Sequence, residues 1–322
     1  MLRVAKPEGF GNVILEEVPL PAVGPRQVLV RNKVSLISRG SEILRRYMRE
    51  EAIDPAIMGY SVAGVVEAVG DEAAVRFQAG DRVIAVSPHA QYVVQDIDEM
   101  EGTRLWPLPD ALSFEEGAFV PLATGGVMWA DIAGIRPGDT VVVLGQGLVG
   151  NLVMQAARQY LQERLIAIDM LANRCQLAAE LGADVVINGA EEDPVEAVKR
   201  LTGGRGAEVV IDCVGGRGGL TSFQQAKDMT CVDGTIHLIG LYHGEPLALD
   251  AGKIQRRRLI GGYYRSESRA VMSRRTIERM LAGQIRVKPL ISHRFPFQQA
   301  KEAYDLLYQH PEEAMGVLLI WE

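Results

Sequence analysis

Cysteine is scarce: Cys175, Cys213 and Cys231 are the only three in 322 residues. They lie far apart and none sits in a C-x-x-C pair, which rules out a cysteine-rich structural zinc site and argues against a disulfide framework. They read as small buried apolar side chains. Long apolar runs are missing too. None reaches the ~18 residues of a membrane span, and the opening MLRVAKPEGFGNVILEEVPL has no signal-peptide h-region. Strand-forming residues begin almost at once, so the expected location is the cytoplasm. Positive charge is not in excess: the formal net charge is −7, against partnership with nucleic acid or an anionic membrane. There is no internal repeat and no low-complexity segment. The 48% hydrophobic content is that of a soluble globular protein, and the length suggests about two domains.

What is present centres on residues 139–170. Thr140 to Leu144 is a short β-branched apolar run suited to a buried parallel strand. Gly145-Gln146-Gly147-Leu148-Val149-Gly150 follows at once and matches G-x-G-x-x-G. A helical pattern covers 151–160, and a second apolar run, 165–168, ends at Asp169. In such a unit Gly145 permits the tight strand-to-helix turn. Gly147 clears the backbone for a pyrophosphate, and Gly150 lets helix and strand pack closely. The helix N-terminus offers N–H groups and a positive dipole end to the phosphates. Asp169 lies 19 residues after Gly150, near the ~20 expected of a ribose-binding acid. Its carboxylate accepts from the ribose hydroxyls and repels a 2′-phosphate, so NAD is expected over NADP.

Before this stretch, the runs 27–34, 61–70, 78–85 and 91–94 read as strands between turns, an all-β, barrel-like N-terminal half. Ser113-Phe114-Glu115-Glu116 reads as a capping box, and a helix is expected over 118–132. From Gly138 on, β and α alternate. Strands are expected at 184–187, 208–214, 234–240 and 258–261, and helices at 173–181, 194–201 and 220–229. That is one doubly wound α/β domain. A helix at 276–281, another in the tail and an apolar strand at 316–320 complete the chain.

The order of these parts resembles the medium-chain dehydrogenase/reductase superfamily, in its alcohol and polyol dehydrogenase branch. The resemblance runs nearly end to end. Its markers are Gly59-Tyr60-Ser61-Val62-Ala63-Gly64-Val65-Val66, Gly80-Asp81-Arg82-Val83, His89-Ala90-Gln91-Tyr92-Val93, Leu122-Ala123-Thr124-Gly125, the glycine motif and Asp212-Cys213-Val214-Gly215. It implies an α/β fold made of a GroES-like β-barrel catalytic domain (1–122 and 287–322) and a Rossmann NAD-binding domain (123–286). The active site would be a cleft between them, and the chain a homodimer acting on a small-molecule substrate.

Departures from the family pattern are equally informative. Ser38-Arg39-Gly40-Ser41-Glu42 aligns where zinc-dependent members carry a cysteine. Gly59-Tyr60-Ser61 stands for Gly-His-Glu, and a third ligand falls near Val120. Ser38, Tyr60 and Val120 are poor zinc ligands, and the four-cysteine lobe expected after Val83 is missing. No zinc is therefore expected. His89, in that region, is a loop or core residue. The first altered motif resembles a subset that includes the bacteriochlorophyllide dehydrogenase type.

Without a metal, a side chain or the cofactor ribose must handle the proton, while the cofactor carries the hydride. Catalytic candidates are Tyr60, Ser41 and Ser38. Tyr60 replaces a ligand histidine and Ser41 matches the family's proton-relaying hydroxyl, each set against the alternative of filler left by zinc loss. For the cofactor the resemblance points to Gly145, Gly147, Leu148, Val149, Gly150, Asp169, Met170, Cys213, Val214, Gly240 and Leu241. It adds Thr124 beside the nicotinamide, Arg174 near the adenine or on a solvated helix face, and Tyr263 with Tyr264 and Arg265 closing over the ring. Arg256-Arg257-Arg258 reads as a solvated turn. Three functions follow: a zinc-independent NAD-dependent oxidoreductase for an alcohol or carbonyl, an NAD(P)H-dependent quinone or enoyl reductase, and a nucleotide-binding sensor or scaffold without catalysis.

Overall fold

The computed structural model describes residues 1–97, 104–160, 163–240, 246–262 and 267–321. They divide into two compact units, Met1–Thr124 with Glu267–Leu281 and Val287–Glu322, and Gly125–Ser266 with Ala282–Arg286. The first opens with an antiparallel pair, β1 (Leu2–Ala5) and β2 (Ile14–Glu17). Next come β3 (Gln27–Ile37), a π-helix (Arg39–Tyr47), β4 (Val62–Val69), β5 (Arg82–Ala85), β6 (Tyr92–Asp96), β7 (Leu105–Pro107) and α1 (Phe114–Ala133). The capping box forms: Ser113 N–H donates to Glu116 Oε2 at 2.9 Å, and Glu116 N–H donates back to Ser113 Oγ at 3.2 Å. It starts a single helix that carries Pro121 within it.

The second unit runs β8 (Thr140–Leu144), α2 (Leu148–Ala157), β9 (Arg164–Asp169), α3 (Ala172–Glu180), β10 (Val185–Asn188), α4 (Pro194–Leu201), β11 (Ala207–Asp212), α5 (Gly218–Met229), β12 (Thr230–Leu238), α6 (Ala251–Ile254) and β13 (Arg258–Gly261). All pairings are parallel and the order is β10-β9-β8-β11-β12-β13. This is the doubly wound arrangement read from the alternating pattern. Strand order reverses between β8 and β11, so the carboxyl ends of these two strands mark the binding crevice. β8 is buried at every residue, as a central parallel strand covered on both faces must be.

The chain then gives α7 (Arg269–Leu281), β14 (Ile291–Pro296), α8 (Ala300–Gln309) and β15 (Gly316–Ile320). The sequence reading placed 269–281 with the Rossmann domain, but α7 groups with the first unit. Its Ser273 Oγ lies 3.3 Å from Thr124 Oγ1. The main sheet of the first unit has the order β14-β15-β3-β4-β5-β7, with β6 also on β3. β3 is the axis: its first half pairs with β6 and its last residues with β15. Helix α8 buries Ala300, Ala303, Tyr304 and Leu307, the i, i+3, i+4, i+7 stripe of a helix with one apolar face. Phe297 and Trp321 stack below it at 4.9 Å. The π-helix follows β3 directly and turns Glu42, Ile43 and Tyr47 inward.

Candidate functional site

In the second unit the glycine motif builds a cradle at the end of β8. Gly145 has φ +81°, and a Cβ there would lie 2.8 Å from Val214 Cγ2. A Cβ on Gly150 would fall 1.7 Å from the Gly145 carbonyl oxygen, so helix and strand touch backbone to backbone. Gly147 differs: the nearest atom to its Cβ position is Arg174 Nη1, at 3.8 Å. Among the described residues no other atom comes within 4 Å of that position, so the loop leaves room for a pyrophosphate to approach its backbone. Gly147 also caps α2, whose first intrahelical bond runs from Asn151 N–H to Gly147 O at 2.9 Å. The N–H groups of Leu148, Val149 and Gly150 precede that bond and form the anion-facing end.

Asp169 ends β9 and is 8% exposed. Its Oδ2 accepts the Gln146 N–H at 2.6 Å and its Oδ1 the Leu171 N–H at 3.0 Å. The carboxylate is thus tied to the glycine loop itself, and Arg174 Nη1 stands 3.9 Å away. Met170, 60% exposed, is the next residue. On the other side of the crevice Asp212 is buried, accepting Ser222 O–H at 2.9 Å and Val214 N–H at 3.0 Å. Burial, then the Asp212 charge, pushes the Cys213 thiol well up, so it stays protonated and acts as a spacer against Gly150. Gly240 packs on Val214: a Cβ there would fall 2.1 Å from its carbonyl oxygen. Leu241, Tyr263, Tyr264 and Arg265 lie outside the described residues. Arg256, by contrast, is a surface arginine, paired with Asp233 at 2.7 Å.

In the first unit the candidate hydroxyls lie on two neighbouring backbone segments. Ser38 caps the π-helix, with Ser41 half-buried one turn on. Tyr60, also half-buried, follows Gly59 (φ +106°). Between them is a buried polar group that the sequence reading did not assemble. Glu42 Oε1 accepts the Ser38 N–H at 2.9 Å, and Oε2 faces His89 Nε2 at 2.9 Å and accepts the Tyr304 hydroxyl. His89 Nδ1 lies 2.8 Å from Ser35 Oγ, which also accepts the Trp321 indole N–H at 2.8 Å. Burial would raise Glu42. The facing His89, and hydrogen bonds from it, from Ser38 and from Tyr304, reverse this and hold the carboxyl below its ordinary value. Burial and then Glu42 push Tyr304 well up. His89, left as a loop or core residue by sequence, is a fully buried core residue. Val120 is buried without a donor atom, and its carbonyl accepts the Thr124 hydroxyl at 2.8 Å. Among the described residues one trio of potential metal-binding side chains converges, His310, Glu312 and Glu313, all exposed. No helix among the described residues is long and apolar enough to cross a membrane.

Two family models match the chain, the alcohol dehydrogenase GroES-like domain over residues 24–124 and zinc-binding dehydrogenase over 149–281. Sorbitol dehydrogenase 2 of Saccharomyces cerevisiae is 30% identical across 97% of this chain and 96% of its own length. The chain belongs to the zinc-type medium-chain dehydrogenase superfamily. Within it the expected GroES-like and Rossmann pairing holds, and the protein is an NAD(P)-dependent dehydrogenase. Sorbitol dehydrogenase of Bos taurus is 29% identical over 94% of both chains. The solved alcohol dehydrogenase TADH from Thermus sp. ATN1 superposes with a TM-score of 0.84, at 25% identity and 99% coverage of each chain.

The Glu42–His89–Tyr304 group escaped the sequence reading for a physical reason. Its members stand 47 and 262 residues apart, and long-range pairing leaves no local period. One signal was present: Glu42 precedes Ile43 and Leu44, and an acid at the head of an apolar pair, right after a strand, needs a buried partner if it turns inward.

Proposed function

We propose that this dehydrogenase is NAD-preferring and zinc-independent, and that it transfers a hydride between nicotinamide and the alcohol or carbonyl carbon of a small or biosynthetic substrate. The Ser38 turn carries the reading. The residues there do not fit zinc. Ser38 and Tyr60 offer hydroxyls, Val120 offers nothing, and the nearest strong donors, Glu42 and His89, are spent on each other and on Ser35, Tyr304 and the Ser38 amide. The cradle does fit a dinucleotide. Gly147 and the α2 N-terminus would hold the pyrophosphate and Asp169 the adenosine ribose, and the bound cofactor supplies hydride transfer. Proton handling then falls to Tyr60, Ser41 and Ser38. A phenol of ordinary pKa ~10 donates to a developing alkoxide, and a serine passes a proton on. The sorbitol dehydrogenases among the relatives favour a polyol-type alcohol.

Fluorescence titration with NADH and NADPH, with metal analysis on the same sample, tests this. NADH is expected to bind at least about tenfold tighter, ~1.4 kcal/mol, with zinc well below one per chain. Stoichiometric zinc overturns the metal-free reading. A preference for NADPH moves the quinone or enoyl reductase reading first. Turnover is read with NAD and sorbitol, then a panel of alcohols, quinones and enones. Tight NADH binding with no turnover would favour the scaffold reading.

Asp169→Ser removes the charge that repels a 2′-phosphate and leaves Arg174 facing it. A like charge at such a contact costs several kcal/mol, so the NADH-to-NADPH affinity ratio is expected to fall on the order of 100-fold. An unchanged ratio in the two titrations would remove Asp169 as the selector.

A cytoplasmic homodimer is part of the proposal. All three cysteines are free thiols, as in a reducing compartment. Among the described residues β13 is an edge of the six-stranded sheet, with Leu259 40% exposed, and an edge strand invites pairing with a second copy. Sedimentation is expected to give twice 35.2 kDa, and Leu259→Arg to give the monomer. A monomeric parent refutes the pairing.

A further inference from the structure

Resting on the reading that Ser38, Ser41 and Tyr60 carry the proton chemistry, we infer that Glu42 and His89 form a positioning pair that holds both segments bearing these hydroxyls. The pair is joined from five separate places: Ser35 on β3, Glu42 on the π-helix, His89 in the loop before β6, Tyr304 on α8 and Trp321 after β15. None of the five exceeds 6% exposure.

The hydrogen-bond inventory fixes how the parts act. An ionised carboxylate only accepts, so the three groups facing Glu42 all donate: Ser38 N–H, His89 Nε2–H and Tyr304 O–H. The Ser38 amide is the cap of the π-helix, so Glu42 fixes the turn from which Ser41 projects. His89 does the same for the second segment. Its own amide donates to Met58 O at 2.7 Å. A Cβ on Gly59 would lie 2.8 Å from the ring carbons Cγ and Cδ2 of His89. The imidazole therefore sets the path of Met58 and Gly59, and Tyr60 follows directly. The π-helix adds to the case, since wide turns of this kind recur at functional sites.

Stability alone does not account for the arrangement, because apolar packing of equal volume is often as stable as a buried charged network. What a carboxylate with three fixed donors adds is geometry: catalytic groups must be held within about 0.5 Å. The turn that the family gives to a zinc ligand is here fixed by the protein's own carboxylate and imidazole.

The test uses the whole protein. Glu42→Gln keeps the volume and an acceptor for Ser38 but presents an NH₂ to His89, and Tyr304→Phe removes one donor of three. The readouts are kcat and KM with NAD and sorbitol or the best alcohol of the panel, NADH affinity, and the proton NMR signals of the His89 imidazole N–H and the Tyr60 ring. Displacing a catalytic group by about 1 Å costs up to ~100-fold. Glu42→Gln is expected to lower kcat by about 10- to 100-fold with NADH affinity unchanged within about twofold, to abolish the downfield imidazole signal and to shift the Tyr60 ring. Tyr304→Phe is expected to lower kcat a few-fold, and it decides the matter if Glu42→Gln does not fold. Full kcat in the folded variants, or an unmoved Tyr60 ring, overturns the positioning role. If Ser38→Ala, Ser41→Ala and Tyr60→Phe all keep full kcat, the hydroxyl reading itself fails. If one of them loses kcat while Glu42→Gln keeps it, only the positioning role fails.

Discussion

Gly150→Ala is expected to melt far below the parent and to lose NADH binding, whereas Gly147→Ala melts with the parent and loses NADH binding alone. The two substitutions add the same methyl group three residues apart, so composition and propensity cannot tell them apart. Space does. At position 150 the methyl carbon falls 1.7 Å from the Gly145 carbonyl oxygen and 3.3 Å from Cys213 Cβ. The first is backbone at the end of a fully buried strand and cannot rotate away, so α2 must lift off β8. Overpacking typically costs about 1–3 kcal/mol, and a backbone clash of this depth belongs at or beyond the upper end. At ~2–4 °C per kcal/mol in a domain of this size, the melting temperature drops by roughly 6–12 °C. The N–H groups at the head of α2 move with the helix, and nucleotide binding goes with them.

At position 147 the nearest atom is 3.8 Å away and the backbone, φ −63° and ψ −176°, is open to any residue. Stability should stay within about 0.5 kcal/mol, while the methyl group occupies the pyrophosphate's place. Thermal melts and NADH titrations of the two variants check this directly. A Gly147→Ala protein that binds NADH like the parent would show that the cradle is not where the phosphates go.

That contrast also marks what the sequence can and cannot reveal. The nucleotide half of the protein is local. A strand, a glycine turn, a helix and an acid 19 residues on follow one another in the chain, and the structure ties Asp169 back to the loop through the Gln146 amide. The alternating β and α runs point to a doubly wound parallel sheet, because parallel connections are short and of one hand; the strand order itself is seen only in the structure. The other half is not local. β3 pairs with β4, β6 and β15, the last nearly 300 residues away, and the π-helix after it has no period of its own to read. The departures from the family pattern at Ser38, Tyr60 and Val120 can be read in the sequence because the motif's neighbours survive. The Glu42–His89 pair cannot, because its halves share no stretch of chain.

His89→Ala is expected to be the most destabilising change in the first unit, and its cost should depend on pH in a particular direction. The substitution removes the donor that faces Glu42 Oε2 and leaves a fully buried carboxylate with two donors. Depriving a buried charged acceptor of one of its donors costs about 1–3 kcal/mol or more, a fall of roughly 2–12 °C at ~2–4 °C per kcal/mol. In the parent, Glu42 is held below its ordinary value of 4.5. Its contribution to stability is therefore present above that value and lost as pH falls through the lower, folded one. His89 supplies the two largest of the influences that hold it down. Without the imidazole, burial dominates and raises the carboxyl instead. The variant is then penalised at neutral pH and relieved as pH falls and Glu42 takes up a proton. The gap in melting temperature between parent and variant should be widest near pH 7 and narrow toward pH 4. A gap that stays constant across that range would mean that the lost packing of the ring, and not the stranded charge, accounts for the whole effect.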